Sequence, residues 1–114
     1  MSVEQQEEIG QRLREVEDAI SAACARSGRV RRDVTLVAIS KTRSAKEVEA
    51  AYACGIREFG ENRVGEALDK IPELNERHMD DPIRWHMVGH VQGRKAEDAI
   101  AFADIIHSLD SIRL

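Results

Sequence analysis

The chain has 114 residues, of which 42% are hydrophobic and 33% charged, and that is a globular rather than a disordered composition. Its length allows at most one ordinary domain, which typically takes about 100–200 residues. Seventeen Lys+Arg against 21 Asp+Glu give a formal net charge of −4. This argues against nucleic-acid binding through bulk positive charge, and one Trp, one Tyr and two Phe cannot build a base-stacking platform.

The first predicted element is a helix. Ser2 is placed to cap it, with Gln5 as the capping-box partner. Ile9, Leu13, Val16 and Ile20 recur at helical spacing and predict its buried face. The helix should fray near Ser27-Gly28. The basic run from Arg26 to Arg32 reads as a solvated loop, with a phosphate or RNA contact as the alternative. Val34 to Ile39 is a nearly continuous β-branched apolar run, the pattern of a parallel strand covered on both faces. Ser44 and Glu47 form a capping box for a second helix. Ala45, Val48, Ala51 and Tyr52 are its inner face, and Gly55 is its C-cap.

The same unit then repeats. Ile56 to Phe59 is a short strand, Gly60-Glu61-Asn62 a turn, and Asn62 an N-cap. Val64, Ala67, Leu68 and Ile71 mark a helix expected to end at Pro72, with a polar loop over 73–81. Ile83 to Val88 is a third strand. Within it, His86 should face away from Trp85 and Met87. A helix over about 94–102, a strand over 104–107 and the start of a helix at 108–111 complete the pattern. The order is α, then βα three times, then β. That predicts an α/β fold with a mainly parallel sheet, either a small doubly wound sheet or part of a (β/α)8 barrel. A full barrel takes about 250 residues.

No apolar run approaches the roughly 20 residues of a membrane-spanning helix, and the first ten residues do not read as a signal peptide. Cys24 and Cys54 lie on predicted helices with no CxxC spacing, so they read as small apolar residues. A cytoplasmic location is the expectation.

Both candidate architectures place ligands at the carboxyl ends of the strands. The residues there are Ser40-Lys41-Thr42, Gly60-Glu61-Asn62, Gly89-His90-Val91-Gln92 and His107-Ser108-Leu109-Asp110. Lys41 stands out. A lysine ending an apolar strand would have its stem fixed in the core and its amine at the rim. Partial desolvation would favour the neutral, nucleophilic form, which can make a Schiff base with an aldehyde. Its bland alternative is a solvent lysine or a partner of Glu61. His86 and His107 read equally as buried histidines satisfied by a backbone carbonyl. Gln92 and Lys95 read as exposed residues at the start of a helix. His86 and His90 span a strand end and a glycine turn, which is poor metal geometry. There is no GxGxxG and no Walker loop.

Four segments carry a resemblance: LVAISKT (36–42), FGENRVGE (59–66), RWHMVGHVQGRK (84–95) and IIHSLDS (105–111). Together, in this order, the chain resembles the YggS/PROSC family of pyridoxal 5′-phosphate (PLP) homeostasis proteins. The resemblance implies the N-terminal half of a TIM-like (β/α)8 barrel of the alanine racemase N-terminal-domain type, with residues 1–114 as one partial PLP-binding domain. It implies that Lys41 carries PLP as a Schiff base, and that Asn62, His86 and His107 line the cofactor mouth. It implies a PLP carrier without an established turnover reaction. Arg94 stands where the family usually has Asn. The family barrel runs to about twice this length, and its phosphate grip lies in the C-terminal half.

Three functional readings follow. The first is a PLP homeostasis protein represented by its N-terminal half-barrel. The second is a PLP-dependent racemase or decarboxylase, for which Tyr52, on a helix face, is a poor acid. The third is a non-catalytic fragment whose two unpaired sheet edges lead it to self-associate or to pair with a complementary C-terminal half. The ending at Ser-Ile-Arg-Leu falls where a further helix should begin, so it reads as a cut through the fold.

Overall fold

A computed structural model describes residues 3–89, 91 and 95–107. Helix α1 spans Val3–Ser27, followed by a 3-10 turn at Arg31–Asp33. Then come β1 (Ala38–Ile39), α2 (Ala45–Ala53), β2 (Glu58–Glu61) and α3 (Val64–Arg77). Strand β3 (Arg84–Met87), α4 (Ala96–Phe102) and β4 (Ile105–Ile106) complete the order. The predicted caps at Ser2 and the helix at 108–111 lie outside the described residues, as do His90, Gln92 and Arg94.

The four strands form one parallel sheet in the order β1-β2-β3-β4. This decides between the two predicted architectures. A doubly wound sheet reverses its strand order and carries helices on both faces. Here each strand is added beside the last, so right-handed crossovers put α2, α3 and α4 on the same side. That is the winding of a TIM-like barrel, and the chain forms about half of one.

The core lies between the helices and one face of the sheet. Val48 of α2, Ala67, Ile71 and Leu74 of α3, and Phe59, Ile83 and Trp85 from the strands and their approaches form one cluster. Val64, Met87, Val91 and Ala99 form a second. Trp85 Nε1–H donates to Asn75 Oδ1 at 2.7 Å, which satisfies the indole's one donor inside the core. His86 faces the other way, as strand alternation requires.

Four expectations are corrected. Only Ala38–Ile39 of the 34–39 run is strand, because Val34 to Val37 have no ladder partner among the described residues. Val16 on α1 is exposed, while Glu17 is half-buried and accepts hydrogen bonds from Arg31 at 2.6 and 2.7 Å. The basic run is therefore partly tied down rather than fully solvated. Asn62 does not cap α3; Arg63 holds that position and makes no side-chain cap. Pro72 does not end α3, which continues to Arg77. A proline inside a helix costs about 3 kcal/mol. Ile71 and Leu74, both fully buried on either side of it, offset that cost by holding the helix on the sheet.

The other caps form as the sequence predicts. Ser44 Oγ accepts from Glu47 N, and Glu47 Oε1 accepts from Ser44 N, both at 3.2 Å. Gly55 takes φ +103°, a conformation that favours glycine, as the chain leaves α2. Cys24 is buried, and the Cys54 thiol donates weakly to Gln6 O at 3.6 Å. No helix among the described residues is long and apolar enough to cross a membrane.

Candidate functional site

The sheet face away from the helices carries Ile39, Gly60, His86 and Ile105 side by side. Ile39 pairs with Gly60, Gly60 with His86, and His86 with Ile105. Ser40 N–H to Gly60 O (2.8 Å), Val88 N–H to Glu61 O (3.0 Å) and His107 N–H to Met87 O (2.9 Å) carry the ladder past the strand ends. These bonds bring Ser40, Glu61 and Val88, and His107 to the carboxyl end of the sheet. His107 lies one step beyond β4 with His86 deeper on β3, while Lys41 follows β1 in a turn where the ladder register no longer applies.

The deeper layer is closely fitted. A Cβ on Gly60 would lie 2.8 Å from Ile39 Cδ1, 3.2 Å from Val37 Cγ1 and 3.3 Å from Val88 Cγ1. At the rim, a Cβ on Gly89 would fall within contact distance of both Asn62 O and Asn62 Oδ1. Glycine at 89 thus lets Asn62 lie against the end of β3.

His86 is buried and bonded on both nitrogens. Nε2 lies 2.8 Å from Glu58 Oε1, and Nδ1 lies 2.8 Å from His107 Nε2. The two rings stack with centroids 5.1 Å apart. Arg84 adds a cation 3.7 Å from the same Glu58 oxygen. The expected backbone-carbonyl partner is therefore replaced by two side chains. His107 is exposed rather than buried. The sequence reading missed Glu58. A signal was present, since Glu58 lies two residues before Gly60 and so on the same face as His86.

Lys41 is exposed, not half-buried. It occupies the second position of a turn closed by Arg43 N–H to Ser40 O at 3.1 Å. Thr42, at the third position, has φ +61° and is the one non-glycine residue with positive φ among those described. This is the pattern of a type II turn, whose third position favours glycine. Glu61 is not a partner of Lys41. Its carboxylate is fully buried, accepts from Ser40 Oγ, and pairs with Lys70 Nζ at 3.0 Å. No hydrogen bond or ion pair joins Lys41 to another described residue. Lys95 is exposed, as expected.

Tyr52 is remote from this rim. Its hydroxyl donates to Asp81 O at 2.6 Å, just before β3 begins, so it sits at the amino-terminal end of the sheet. Arg57 and His78 cover its ring. No cluster of three or more His, Cys, Asp or Glu suited to a metal occurs among the described residues.

Known proteins resemble this chain in sequence and fold. The pyridoxal phosphate homeostasis protein of Escherichia coli strain K12 is 37% identical over 107 residues, covering 94% of this chain and 45% of the relative. This chain is similar to the N-terminal half of the pyridoxal phosphate homeostasis proteins. The protein of that name from Synechocystis is 42% identical over 81 residues, which are 71% of this chain and 36% of the relative. The chain thus spans about half the length, or less, of the curated relatives it matches. No family model matches it. Among solved structures, PipY of Synechococcus elongatus with PLP bound superposes with a TM-score of 0.72 at 36% identity, over 91% of this chain and 43% of PipY. A protein of unknown function from Bifidobacterium adolescentis superposes with a TM-score of 0.90 at 32% identity, over 98% of this chain and 48% of that one.

Proposed function

We propose that this protein binds pyridoxal 5′-phosphate as a Schiff base on Lys41 and serves PLP homeostasis in the cytoplasm, as a carrier rather than a catalyst. The observation that carries the reading is the place of Lys41. It follows β1 on an exposed turn at the carboxyl end of the sheet, in a chain similar to a protein solved with PLP bound. PLP supplies an aldehyde. The neutral Lys41 nitrogen would bond to the aldehyde carbon, and its two protons would leave with the aldehyde oxygen as water. The residues present suit the aldehyde end of that group. The amine is accessible. His107, held by His86 and Glu58, offers an imidazole.

A racemase-like enzyme is the weaker reading. It needs a tyrosine or cysteine acid at the cofactor. Tyr52 is engaged with Asp81 at the other end of the sheet, and Cys54 with Gln6 beside α1.

The proposed unit is one partial barrel domain over residues 1–114. Among the described residues β1 pairs only with β2, and β4 only with β3, leaving both outer edges open. Ile39 is 49% exposed on the face opposite the helices. Self-association, or pairing with a complementary half, would cover both. Titration with PLP followed by borohydride reduction and peptide mapping tests the reading. A reduced adduct on Lys41 supports it. No adduct on Lys41, even with a complementary half supplied, overturns it.

A further inference from the structure

We propose that Lys70 is a positioning residue for Lys41: its buried ammonium clamps the two ends of the turn that carries the reactive amine. This inference rests on the PLP-binding reading of Lys41 for its functional meaning, but on its own geometry for the clamp.

Lys70 lies on α3, and its side chain is only 10% exposed, an unusual state for a lysine. An ammonium has three donors and no acceptor. Two of them donate to backbone carbonyls, and the charge pairs with a carboxylate. Nζ lies 2.7 Å from Ser40 O, 2.9 Å from Arg43 O and 3.0 Å from Glu61 Oε1. Ser40 and Arg43 are the first and last residues of the Lys41 turn. One cation therefore bridges both ends of that turn.

Two carboxylates complete the device. Glu61, fully buried on β2, balances the charge of Lys70 and accepts from Ser40 Oγ. Glu66, one helical turn before Lys70 and 3.6 Å from Nζ, accepts from Thr42 N–H. The turn needs such support. A β-branched residue at φ +61° is strained, and such residues persist where their surroundings over-determine them. Thr42 is held on one side by Glu66 and on both flanks by Lys70. The clamp binds the backbone around Lys41 and leaves its side chain without a partner among the described residues. The fixed turn thus presents the amine at the carboxyl end of the sheet.

Lys70→Met alone would strand the Glu61 carboxylate in the core and unfold the chain. The decisive variant is therefore the double substitution Glu61→Gln/Lys70→Met, which removes both charges and keeps a polar acceptor for Ser40. Amide hydrogen exchange of Arg43, which is bonded to Ser40 O, reads the turn. Asp104 N–H, bonded to Trp85 O at 2.8 Å, is the reference. Exchange at Arg43 should quicken about tenfold or more while Asp104 is unchanged. In parallel, the ratio of PLP-borohydride adduct on Lys41 to that on exposed Lys46 should fall. Thr42→Gly, added to the double variant, should restore much of that ratio, because glycine adopts the left-handed position without the clamp. Unchanged Arg43 exchange, or Arg43 and Asp104 quickening together, would overturn the clamp. If the unaltered protein forms no Lys41 adduct, the PLP reading fails, and the exchange result still decides the role of Lys70.

Discussion

His86 Nδ1 and His107 Nε2 face each other across adjacent strands at 2.8 Å, and a single proton must lie between them. The other nitrogen of His86 is 2.8 Å from Glu58 Oε1. The carboxylate accepts from His86 Nε2–H. In the neutral tautomer this leaves His86 Nδ1 to accept from His107 Nε2–H. Glu58 thereby sets the tautomer of an exposed rim histidine two strands away.

Glu58→Ala should therefore reach His107. The substitution strands a buried imidazole N–H, which costs about 1–3 kcal/mol. Urea unfolding followed by the Trp85 emission, which starts from a fully buried indole, reads that cost. The imidazole nitrogen shifts of His107 should move in the same variant. Unmoved His107 shifts would show that the three residues do not act as a chain.

Gly89→Ala should be more disruptive than Gly60→Ala. At 60 the nearest obstacle is the Cδ1 end of Ile39, at 2.8 Å, which can rotate away. At 89 the obstacles include the backbone carbonyl of Asn62, which cannot move without the rim. Overpacking typically costs 1–3 kcal/mol. We expect Gly89→Ala near or above the top of that range and Gly60→Ala near the bottom, by chemical denaturation. Equal costs would contradict the fitted rim.

The start of α2 should loosen in acid. The Ser44 backbone N–H donates to Glu47 and, helped by Arg43, holds its carboxyl below the usual carboxylate range. A folded value below the unfolded one means that the stabilisation is fully present above the ordinary glutamate value of about 4.3. It is lost as pH falls through the lower folded value. Carbon-13 titration of the Glu47 carboxyl should give a depressed midpoint. Ser44→Ala removes the hydroxyl cap and should cost about 1 kcal/mol of stability, while the backbone N–H it leaves in place keeps the midpoint depressed. A midpoint at the ordinary glutamate value in the unaltered chain would show that the Ser44 N–H does not hold the charge.

The open edges and the uncovered face predict association. Sedimentation should give a species heavier than one chain at micromolar concentration, and Ile39→Lys should shift it toward the monomer. A monodisperse monomer of the unaltered chain would contradict this.

Much of this architecture was legible in the residues. The apolar run ending at Ile39, the Ser44–Glu47 box, Gly55, and the alternation of Trp85, His86 and Met87 each follow from local rules, and they yield the repeated βα unit. What escaped was long-range. Pro72 reads as a helix stop because the sequence does not show how firmly Ile71 and Leu74 are held on the sheet. Val16 and Glu17 exchange roles because Arg31, fourteen residues further on, supplies Glu17 with a partner. Glu58, Glu61 and Lys70 look like ordinary surface charges. Their partners, His86, Ser40 and the Lys41 turn, lie 28, 21 and 30 residues away at the closest contact. Pairings of that kind are made by the fold and leave no periodic trace.

The central claim is that Lys41 is the residue that takes up PLP. The most direct measurement is peptide mapping after PLP addition and borohydride reduction, on the unaltered chain and on Lys41→Ala. The account predicts one dominant reduced adduct, on Lys41, and loss of the visible absorbance band in Lys41→Ala. A label spread evenly over Lys46, Lys95 and other exposed lysines, with the band intact in Lys41→Ala, would contradict it.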